Sequence, residues 1–294
     1  MRGGPAKASM AALHRLALPG VLSSTLRRLA ASLALKAFAG PPVLGALLLA
    51  TIGQAADAAS ACKGTIYLTF DTGSQSQAEL IADTLRKHHV QATFFLANEK
   101  TVRGDWSLDP SWSAYWKARV AEGHAFGTHT FDHVYWRADE AGGRIKVKPQ
   151  FGAQGGKTQT WSAAQYCDEL RRVDTRFTEL TGHHIDPLFR APGGHTSPNI
   201  LAAAKACGYR HVGWAKAGFS GDETSSDAYP NALLLKRALD NLKDGDIFMA
   251  HMGIWSRKDP WAPANLEPLI SGLQQKGFCF ATLREHPAYR LPTQ

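Results

Sequence analysis

The chain has 294 residues, of which 44% are hydrophobic and 20% charged, a composition that is typical of globular proteins and argues against intrinsic disorder. Its formal net charge of +8 is unevenly spread, because six of the 33 Lys and Arg residues but only one of the 25 Asp and Glu residues precede Cys62. The remainder is therefore only mildly basic, and its aromatic and basic residues are not interleaved in a way that would indicate nucleic-acid binding.

Residues 1–61 have the order of features of a secretory signal peptide. Basic residues without any acidic partner before Asp57 lead into the apolar run 43–52, and small residues with Ala-x-Ala sites follow at 56–58 and 59–61. The apolar run is too short to span a bilayer comfortably. We predict a signal or leader segment over 1–61 and export to the periplasm or the extracellular space. An organellar transit segment, an uncleaved leader or a lipid anchor at Cys62 are the alternatives, and only the last two would attach the protein to a membrane.

All four cysteines follow the predicted leader, at Cys62, Cys167, Cys207 and Cys279. An even number of cysteines in an exported chain fits two disulfides, and the sequence leaves three pairings open. The alternative is that Cys207 and Cys279 are small, buried apolar side chains.

Beyond residue 62, short apolar runs alternate with segments of helical period, which predicts βα units around a parallel sheet. The predicted strands are 65–70, 92–97, 124–129, 187–191, 211–216, 247–251 and 277–283. The predicted helices are 78–88, 162–180, 197–207 and 231–242. Seven such strands favour a closed or nearly closed α/β barrel, and since no linker or repeat divides the segment, we predict one catalytic domain over 62–294.

The first predicted strand ends in the sequence DTGS at 71–74, which also occurs around the catalytic carboxylate of aspartic proteases. Those enzymes need two carboxylates that share a proton, and this chain has no second Asp-Thr-Gly or Asp-Ser-Gly. They are also all-β proteins, whereas Asp71 here ends a strand that leads into a helix. The match is therefore a coincidence.

Polar residues follow the ends of several predicted strands: Asp71, His129 with His133 four residues later, Arg190, Trp214 and His251. In a (β/α) barrel these ends all face the side of the molecule that carries the chemistry. We therefore expect residues that are far apart in sequence to meet at one site.

These residue types predict metal-assisted hydrolysis. His129 and His133, spaced i and i+4, would face one ion from a single helical turn, and two imidazoles with oxygen ligands suit zinc or another borderline divalent ion. Asp71 is the candidate general base and His251 the candidate general acid. We expect Arg190 to hold Asp71 ionised and oriented through a bidentate contact. We expect Asp222 to keep the pKa of His251 high enough for this residue to act as an acid. The alternatives are a chance pair of histidines and a purely structural Arg190 ion pair.

The segments TFDTG, HTFDH, RAPGG and IFMAH resemble, in this order, the signature blocks of the NodB-homology polysaccharide deacetylases, carbohydrate esterase family 4. The resemblance covers about residues 63–286. It implies a distorted (β/α) barrel of about seven parallel strands and a divalent metal, often zinc, that assists removal of acetyl groups from N-acetyl sugars. It further implies that Asp71 is the catalytic base, His129 and His133 are metal ligands, Arg190 supports the base, and His251 is the catalytic acid.

The sequence departs from that family pattern at two positions. Thr72 stands where the family has an Asp that is the third protein ligand to the metal, and a hydroxyl is a poorer ligand unless Asp132 or water compensates. The family usually has an Asp-Trp pair near Asp222, whereas here Asp222 is slightly displaced and has no Trp beside it.

Aromatic residues and long connections suggest a substrate groove. We assign Trp214, Trp255 and Gly194 to it, with Trp261 as a further candidate, because indole faces stack on sugar rings. Residues 104–116 are rich in aromatic residues that either line this groove or form the core face of a helix. The Gly-rich segment 138–161 is predicted to be a loop on the catalytic side.

The sequence therefore predicts a metal-dependent hydrolase that removes N-acetyl groups from peptidoglycan or a chitin-like polymer. An O-acetyl esterase or deformylase on the same scaffold, and a catalytically inactive glycan-binding barrel, are the alternatives. An acetylated polysaccharide is the expected partner, while the particular glycan and the oligomeric state stay open.

Overall fold

A computed structural model of the protein describes residues 62–290, so the predicted leader over 1–61 lies outside the described residues. Within 62–290, none of the helices is both long enough and apolar enough to cross a bilayer.

Ten strands and six α-helices follow one another along the described chain. In chain order they are β1 (Gly64–Asp71), α1 (Ala78–Lys87), β2 (Thr93–Leu96), α2 (Ser113–Ala121), β3 (Ala125–Thr128), β4 (Val134–Glu140), β5 (Arg144–Pro149), β6 (Gln159–Trp161), α3 (Ala163–Thr181), β7 (Leu188–Phe189), α4 (Pro198–Ala206), β8 (Arg210–His211), α5 (Asn231–Asn241), β9 (Ile247–His251), α6 (Trp261–Gln275) and β10 (Phe278–Phe280).

The main sheet is parallel and curls into a half-barrel with helices around it, which confirms the predicted α/β fold class. Its order is β10-β1-β2-β3-β7-β8, and β9 also pairs with β1. Irregular residues after β8 approach β9 from the other side: the Ala215 N–H donates to the Ile247 carbonyl at 3.1 Å, and Phe219 forms a bridge with Met249. All seven strands of this sheet were predicted, although β7 and β8 are much shorter than expected.

The four predicted helices form within one residue of their expected bounds. Helix α3 begins at a capping box, in which the Ser162 hydroxyl accepts from the Gln165 N–H and the Gln165 side chain accepts from the Ser162 N–H. It ends at Gly182, which adopts a left-handed φ of 80°. Helices α2 and α6 were not predicted.

A second, antiparallel sheet contains β4, β5 and β6 and corrects the prediction of a loop over 138–161. Val134, Ile145 and Val147 are buried, and they pack in the cluster that contains Tyr166 and Phe189. In β5 these apolar residues alternate with charged ones, which is the pattern of a strand with one buried face, although the glycines that flank it suggested a loop.

Several aromatic side chains expected near the substrate belong to the core instead. Trp112, Tyr115 and Trp116 are buried, and the indole N–H of Trp116 donates to the Ser107 carbonyl at 2.8 Å, so the core interpretation of this segment is correct. Trp261 is also buried and packs on Phe248 with ring centroids 5.5 Å apart, so its assignment to the groove is wrong.

Both predicted disulfides are present in the structure. Cys62 pairs with Cys279, which joins the residues before β1 to β10, and Cys167 pairs with Cys207, which joins α3 to the end of α4. This selects one of the three pairings and excludes the free-cysteine alternative for Cys207 and Cys279.

Candidate active site

The carboxyl ends of the barrel strands surround a cavity of about 350 Å³. Its lining residues include Asp71, Thr72, Glu99, His129, His133, Tyr135, Gly194, Trp214, His251 and Trp255. Arg190 and Asp222 lie directly behind this lining, each hydrogen-bonded to one of its members. The structure therefore brings together the predicted base, acid, histidine pair and their partners with Trp214, Trp255 and Gly194, but not Trp261 or Asp132.

Strand register explains why the proposed base and acid are neighbours. Asp71 and His251 are the last residues of β1 and β9, and they are paired in register. Side chains that leave two adjacent parallel strands at one level point to the same side of the sheet. A carboxylate and an imidazole thus reach the cavity side by side, although the two residues are 180 positions apart in the sequence.

The Asp71 carboxylate forms a buried ion pair with Arg190, with 2.7 Å between Oδ1 and Nη1. The predicted bidentate contact is wrong, because the other guanidinium nitrogens donate to the carbonyls of Val212 and Gly213, both at 3.3 Å. Burial, the largest single influence, would raise the pKa of Asp71, but the attractions of Arg190, His129 and His251 together outweigh it, so the pKa lies below its ordinary value. Asp71 is ionised at neutral pH, as a general base must be.

His251 is held by Asp222 through two hydrogen bonds. Nδ1 of His251 lies 3.0 Å from Oδ1 of Asp222, and the backbone N–H of His251 donates to Oδ2 at 2.6 Å. Burial, the largest single influence, opposes the charged imidazolium, but the carboxylates of Asp222, Asp71 and Glu223 together outweigh it and raise the pKa of His251 above its ordinary value of 6.5. Because Nδ1 is bound to Asp222, Nε2 is the nitrogen that is free to donate a proton.

His129 and His133 meet across a turn after β3, which corrects the expected helical turn. Thr130 and His133 adopt positive φ angles of 61° and 48°, and these bring the two ring centroids within 4.9 Å. Nδ1 of His129 donates to the Arg190 carbonyl at 2.9 Å, which leaves the lone pair on Nε2, 3.7 Å from Oδ2 of Asp71.

The two imidazoles have the chemistry of metal ligands. Burial lowers the pKa of His129 to about 3, so this ring is neutral, and a backbone acceptor fixes its orientation, as is common for histidines that bind metals. The buried Nδ1 of His133 has no hydrogen-bond partner among the described residues. Residues 62–290 nevertheless contain no group of three His, Cys, Asp or Glu side chains already gathered closely enough to hold an ion.

The third position of the family pattern, Thr72, does not leave its hydroxyl free. Its Oγ1 accepts from the Ala97 N–H at 2.9 Å and donates to Oε1 of Glu99 at 2.8 Å. Asp132, which we expected to compensate, is instead paired with Arg172 at 2.9 Å and does not line the cavity.

Two side chains of the cavity, Glu99 and Tyr135, were missed in the sequence analysis. Glu99 lies three residues beyond the end of β2, so a polar residue soon after a predicted strand is the signal that could have indicated it, as it indicated Asp71 and His251. Tyr135 lies on β4 and contacts the His133 ring with centroids 5.0 Å apart, so finding it required recognition of the second sheet.

The predicted groove residues lie at the rim of the cavity. The Trp255 side chain is 62% exposed, which suits a surface that stacks on a sugar ring. Gly194 has φ 68°, and a Cβ at this position would lie 2.6 Å from the Trp214 ring, so the absence of a side chain allows Trp214 to reach the rim.

A larger cavity of about 840 Å³ is lined by residues 215–246, including Lys216, Phe219, Tyr229 and Arg237. No histidine lines it among the described residues, and it holds no base and acid pair of the kind found between Asp71 and His251. We therefore take the smaller cavity as the candidate active site.

Residues 58–212 match the family model described as Polysaccharide deacetylase. A chitooligosaccharide deacetylase of Azorhizobium caulinodans is 29% identical over 245 residues, which cover 80% of this chain and 100% of that protein. A peptidoglycan-N-acetylglucosamine deacetylase of Bacillus cereus is 26% identical over 235 residues, which cover 76% of this chain and 89% of the relative.

The fold has solved counterparts. A family 4 acetyl xylan esterase from Clostridium thermocellum, in complex with a cobalt ion, superposes with a TM-score of 0.57 at 21% identity and covers 75% of this chain and 89% of its own. At this level of identity the likeness concerns the fold alone.

Proposed function

Since the chain belongs to the polysaccharide deacetylase family, we propose that it is a metal-dependent hydrolase that removes N-acetyl groups from a cell-wall or matrix polysaccharide. The observation that carries the proposal is the pairing of two oppositely charged groups at one cavity: Asp71 with its pKa lowered and His251 with its pKa raised. Hydrolysis of an amide needs a base for water and an acid for the departing nitrogen, and these two groups supply both at neutral pH.

We assign the steps to the residues as follows. Asp71, oriented by Arg190, takes a proton from the water that attacks the acetamide carbon. His251 then donates the proton on Nε2 to the nitrogen of the sugar as the carbon–nitrogen bond breaks. The products are acetate and a free amine on the glycan.

His129 and His133 would hold the divalent ion that the family implies, with zinc as our proposed ion. Such an ion, when bound, supplies charge stabilisation to an acyl oxygen and lowers the pKa of water. The neutral, oriented ring of His129 and the unpartnered nitrogen of His133 support this assignment.

We further propose that the substrate is a polymer of N-acetylated sugars and that the protein works outside the cytoplasm. The relatives named as chitooligosaccharide and peptidoglycan deacetylases support the first part. Two disulfides support the second, since such bonds persist in oxidising compartments. Trp255 and Trp214 are our candidates for stacking on the sugar rings.

The test measures zinc content and acetate release on the purified full chain with N-acetylglucosamine oligomers, before and after chelation. We expect stoichiometric metal, loss of acetate release on chelation and recovery on adding zinc. Asp71→Asn should retain the fold, measured by circular dichroism, and lower kcat by about 10²- to 10⁴-fold, because the isosteric amide cannot accept the proton.

Asp168→Asn is the control, because Asp168 on α3 is highly exposed and far from the cavity lining. Full turnover by Asp71→Asn would contradict the assignment of the base. Faster release of acetate from O-acetylated than from N-acetylated sugars would contradict the proposed substrate class.

A further inference from the structure

We propose that Glu99 is the third protein ligand of the metal site and supplies the carboxylate that position 72 lacks. The inference rests on the proposed function, because it concerns the same site. Glu99 follows β2, is 7% exposed, and lines the cavity together with His129 and His133.

The pairing of β1 with β2 places Glu99 beside Thr72. The Thr72 N–H donates to the Phe95 carbonyl at 3.0 Å, and the Thr72 hydroxyl accepts from the Ala97 N–H at 2.9 Å. The chain then reaches Glu99, whose Oε1 accepts from the same hydroxyl at 2.8 Å. An Asp at position 72 would carry its carboxyl carbon where the Thr72 hydroxyl lies. The Glu99 carboxylate therefore stands one hydrogen bond away from the position of the family carboxylate.

The backbone of Glu99 is fixed so that only its side chain enters the cavity. Its N–H donates to Oγ of Ser107 at 3.0 Å, and its carbonyl accepts from the Ser107 N–H at 2.8 Å. Of the two carboxylate oxygens, Oε1 is used by Thr72, whereas Oε2 accepts no hydrogen bond from any residue in 62–290. One oxygen is thus available to a ligand.

The Glu99 carboxylate also lacks a cation. No Lys, Arg or His in the described part of the chain forms a salt bridge with it, in contrast to Asp71, which has Arg190. A carboxylate on the cavity wall without a positive partner leaves its charge uncompensated, and a bound divalent ion would compensate it.

Carboxylate oxygens and neutral imidazoles together form a usual ligand set for zinc. The side chains of Glu99, His129 and His133 are not gathered closely enough to form a ready-made site among residues 62–290. Binding of one ion by all three residues would therefore require the Glu99 side chain to rotate towards the two histidines.

The experiment measures zinc affinity on the full chain by competition with a chromogenic chelator, together with the unfolding temperature with and without zinc. Glu99→Gln should weaken zinc binding at least about tenfold and reduce the stabilisation by zinc, since a neutral amide is a poor ligand. Glu267→Gln removes the same charge from the partly exposed surface of α6 and should leave the affinity unchanged.

The double variant Thr72→Asp/Glu99→Gln should recover most of the affinity, because it moves the carboxylate back to position 72. Thr72→Asp alone places two carboxylates together and should lower the unfolding temperature of the metal-free protein, with the loss reversed by zinc. This reciprocal pattern would not arise if Glu99 only accepted a structural hydrogen bond.

Wild-type zinc affinity in Glu99→Gln, or absence of zinc binding by the wild-type protein, would overturn the inference. If Glu99→Gln keeps its affinity while the wild-type protein releases acetate, the inference fails and the proposed function stands. If Glu99→Gln loses zinc while the wild-type protein releases no acetate from any acetylated polymer, the proposed function fails and the ligand assignment stands.

Discussion

Two residues at the cavity owe opposite protonation states to one buried partner each. Asp71 is kept ionised by Arg190, and His251 is kept protonated by Asp222, although burial opposes both charges. The base therefore stays active as pH falls until its lowered pKa is reached. The acid stays active as pH rises until its raised pKa is reached. If Asp71 and His251 have the proposed roles, Arg190 and Asp222 widen the pH range over which both groups are in the required state.

Asp222→Asn tests this dependence. The amide keeps only one of the two acceptor oxygens that bind His251 and loses the negative charge, so the pKa of His251 should fall. We expect the basic limb of the kcat/KM profile to move to lower pH by at least about one unit while the acidic limb changes little. The measurement is the pH dependence of acetate release over roughly pH 3 to pH 11, which reaches below the ordinary pKa of a carboxyl group and well above that of an imidazole.

Asp174→Asn is the matched control, since Asp174 pairs with the exposed His184 at 2.9 Å outside the cavity. It should leave the profile unchanged. An unshifted basic limb in Asp222→Asn would show that His251 is not the acid whose ionisation limits the rate.

At the scale of elements, the connections after β7 and β8 meet at the rim of the cavity. The first carries Gly194 and the second carries Trp214, and a Cβ on Gly194 would lie 2.6 Å from Cη2 of Trp214. The left-handed φ of 68° at Gly194 independently disfavours any other residue. Substitution at Gly194 should therefore strain the backbone and also displace the indole of Trp214, which we assign to the substrate groove.

Gly194→Ala should raise KM for a soluble oligomer several-fold, because the new methyl group displaces Trp214. Gly208→Ala provides the control for strain: its φ is 90°, but a Cβ there meets nothing within 4 Å. Both variants should lose about 1 kcal/mol of unfolding free energy, and only the first should alter KM. Equal KM values in the two variants would exclude Trp214 from the groove. The measurements are initial rates and urea unfolding.

The sequence predicted elements whose burial pattern is simple and missed those whose pattern is mixed. The strands β1 and β9 are buried over nearly their whole length, so each appears as one apolar run that ends in a functional residue. Strand β5 has one buried face and alternates Ile145 and Val147 with charged residues, and glycines on both sides concealed it. Its omission also concealed Tyr135, because the second sheet brings that residue to the cavity.

Local geometry limited the prediction of the site. The spacing of His129 and His133 indicated a shared face correctly, but two positive φ angles produce it, and no periodicity reports them. The contact between Thr72 and Glu99 depends on the register of β1 with β2, which the sequence does not specify. The sequence also did not specify that Cys62 pairs with Cys279, because it left three pairings of the four cysteines open.

For the whole molecule, the first and last strands of the described fold meet at a seam. Gly64 pairs with Phe278 and Thr65 with Cys279, and the disulfide from Cys62 to Cys279 lies beside this short ladder. The seam lies at the amino end of β1, whereas Asp71 and the cavity lie at its carboxyl end. The disulfide-linked seam and the candidate active site therefore lie at opposite ends of the same strand.

Cys62→Ser/Cys279→Ser should destabilise the protein without changing the chemistry. The bond closes a loop with a sequence separation of 217 residues, against 40 for Cys167 and Cys207. Chain entropy then predicts a loss of about 5 kcal/mol of unfolding free energy for the first pair and about 4 kcal/mol for the second. Urea unfolding of both double variants measures this difference.

The folded Cys62→Ser/Cys279→Ser protein should retain wild-type kcat, because β9 holds the carboxyl end of β1 through five paired residues from Tyr67 to Asp71. A lower kcat in a variant that is still fully folded would mean that the seam also positions Asp71.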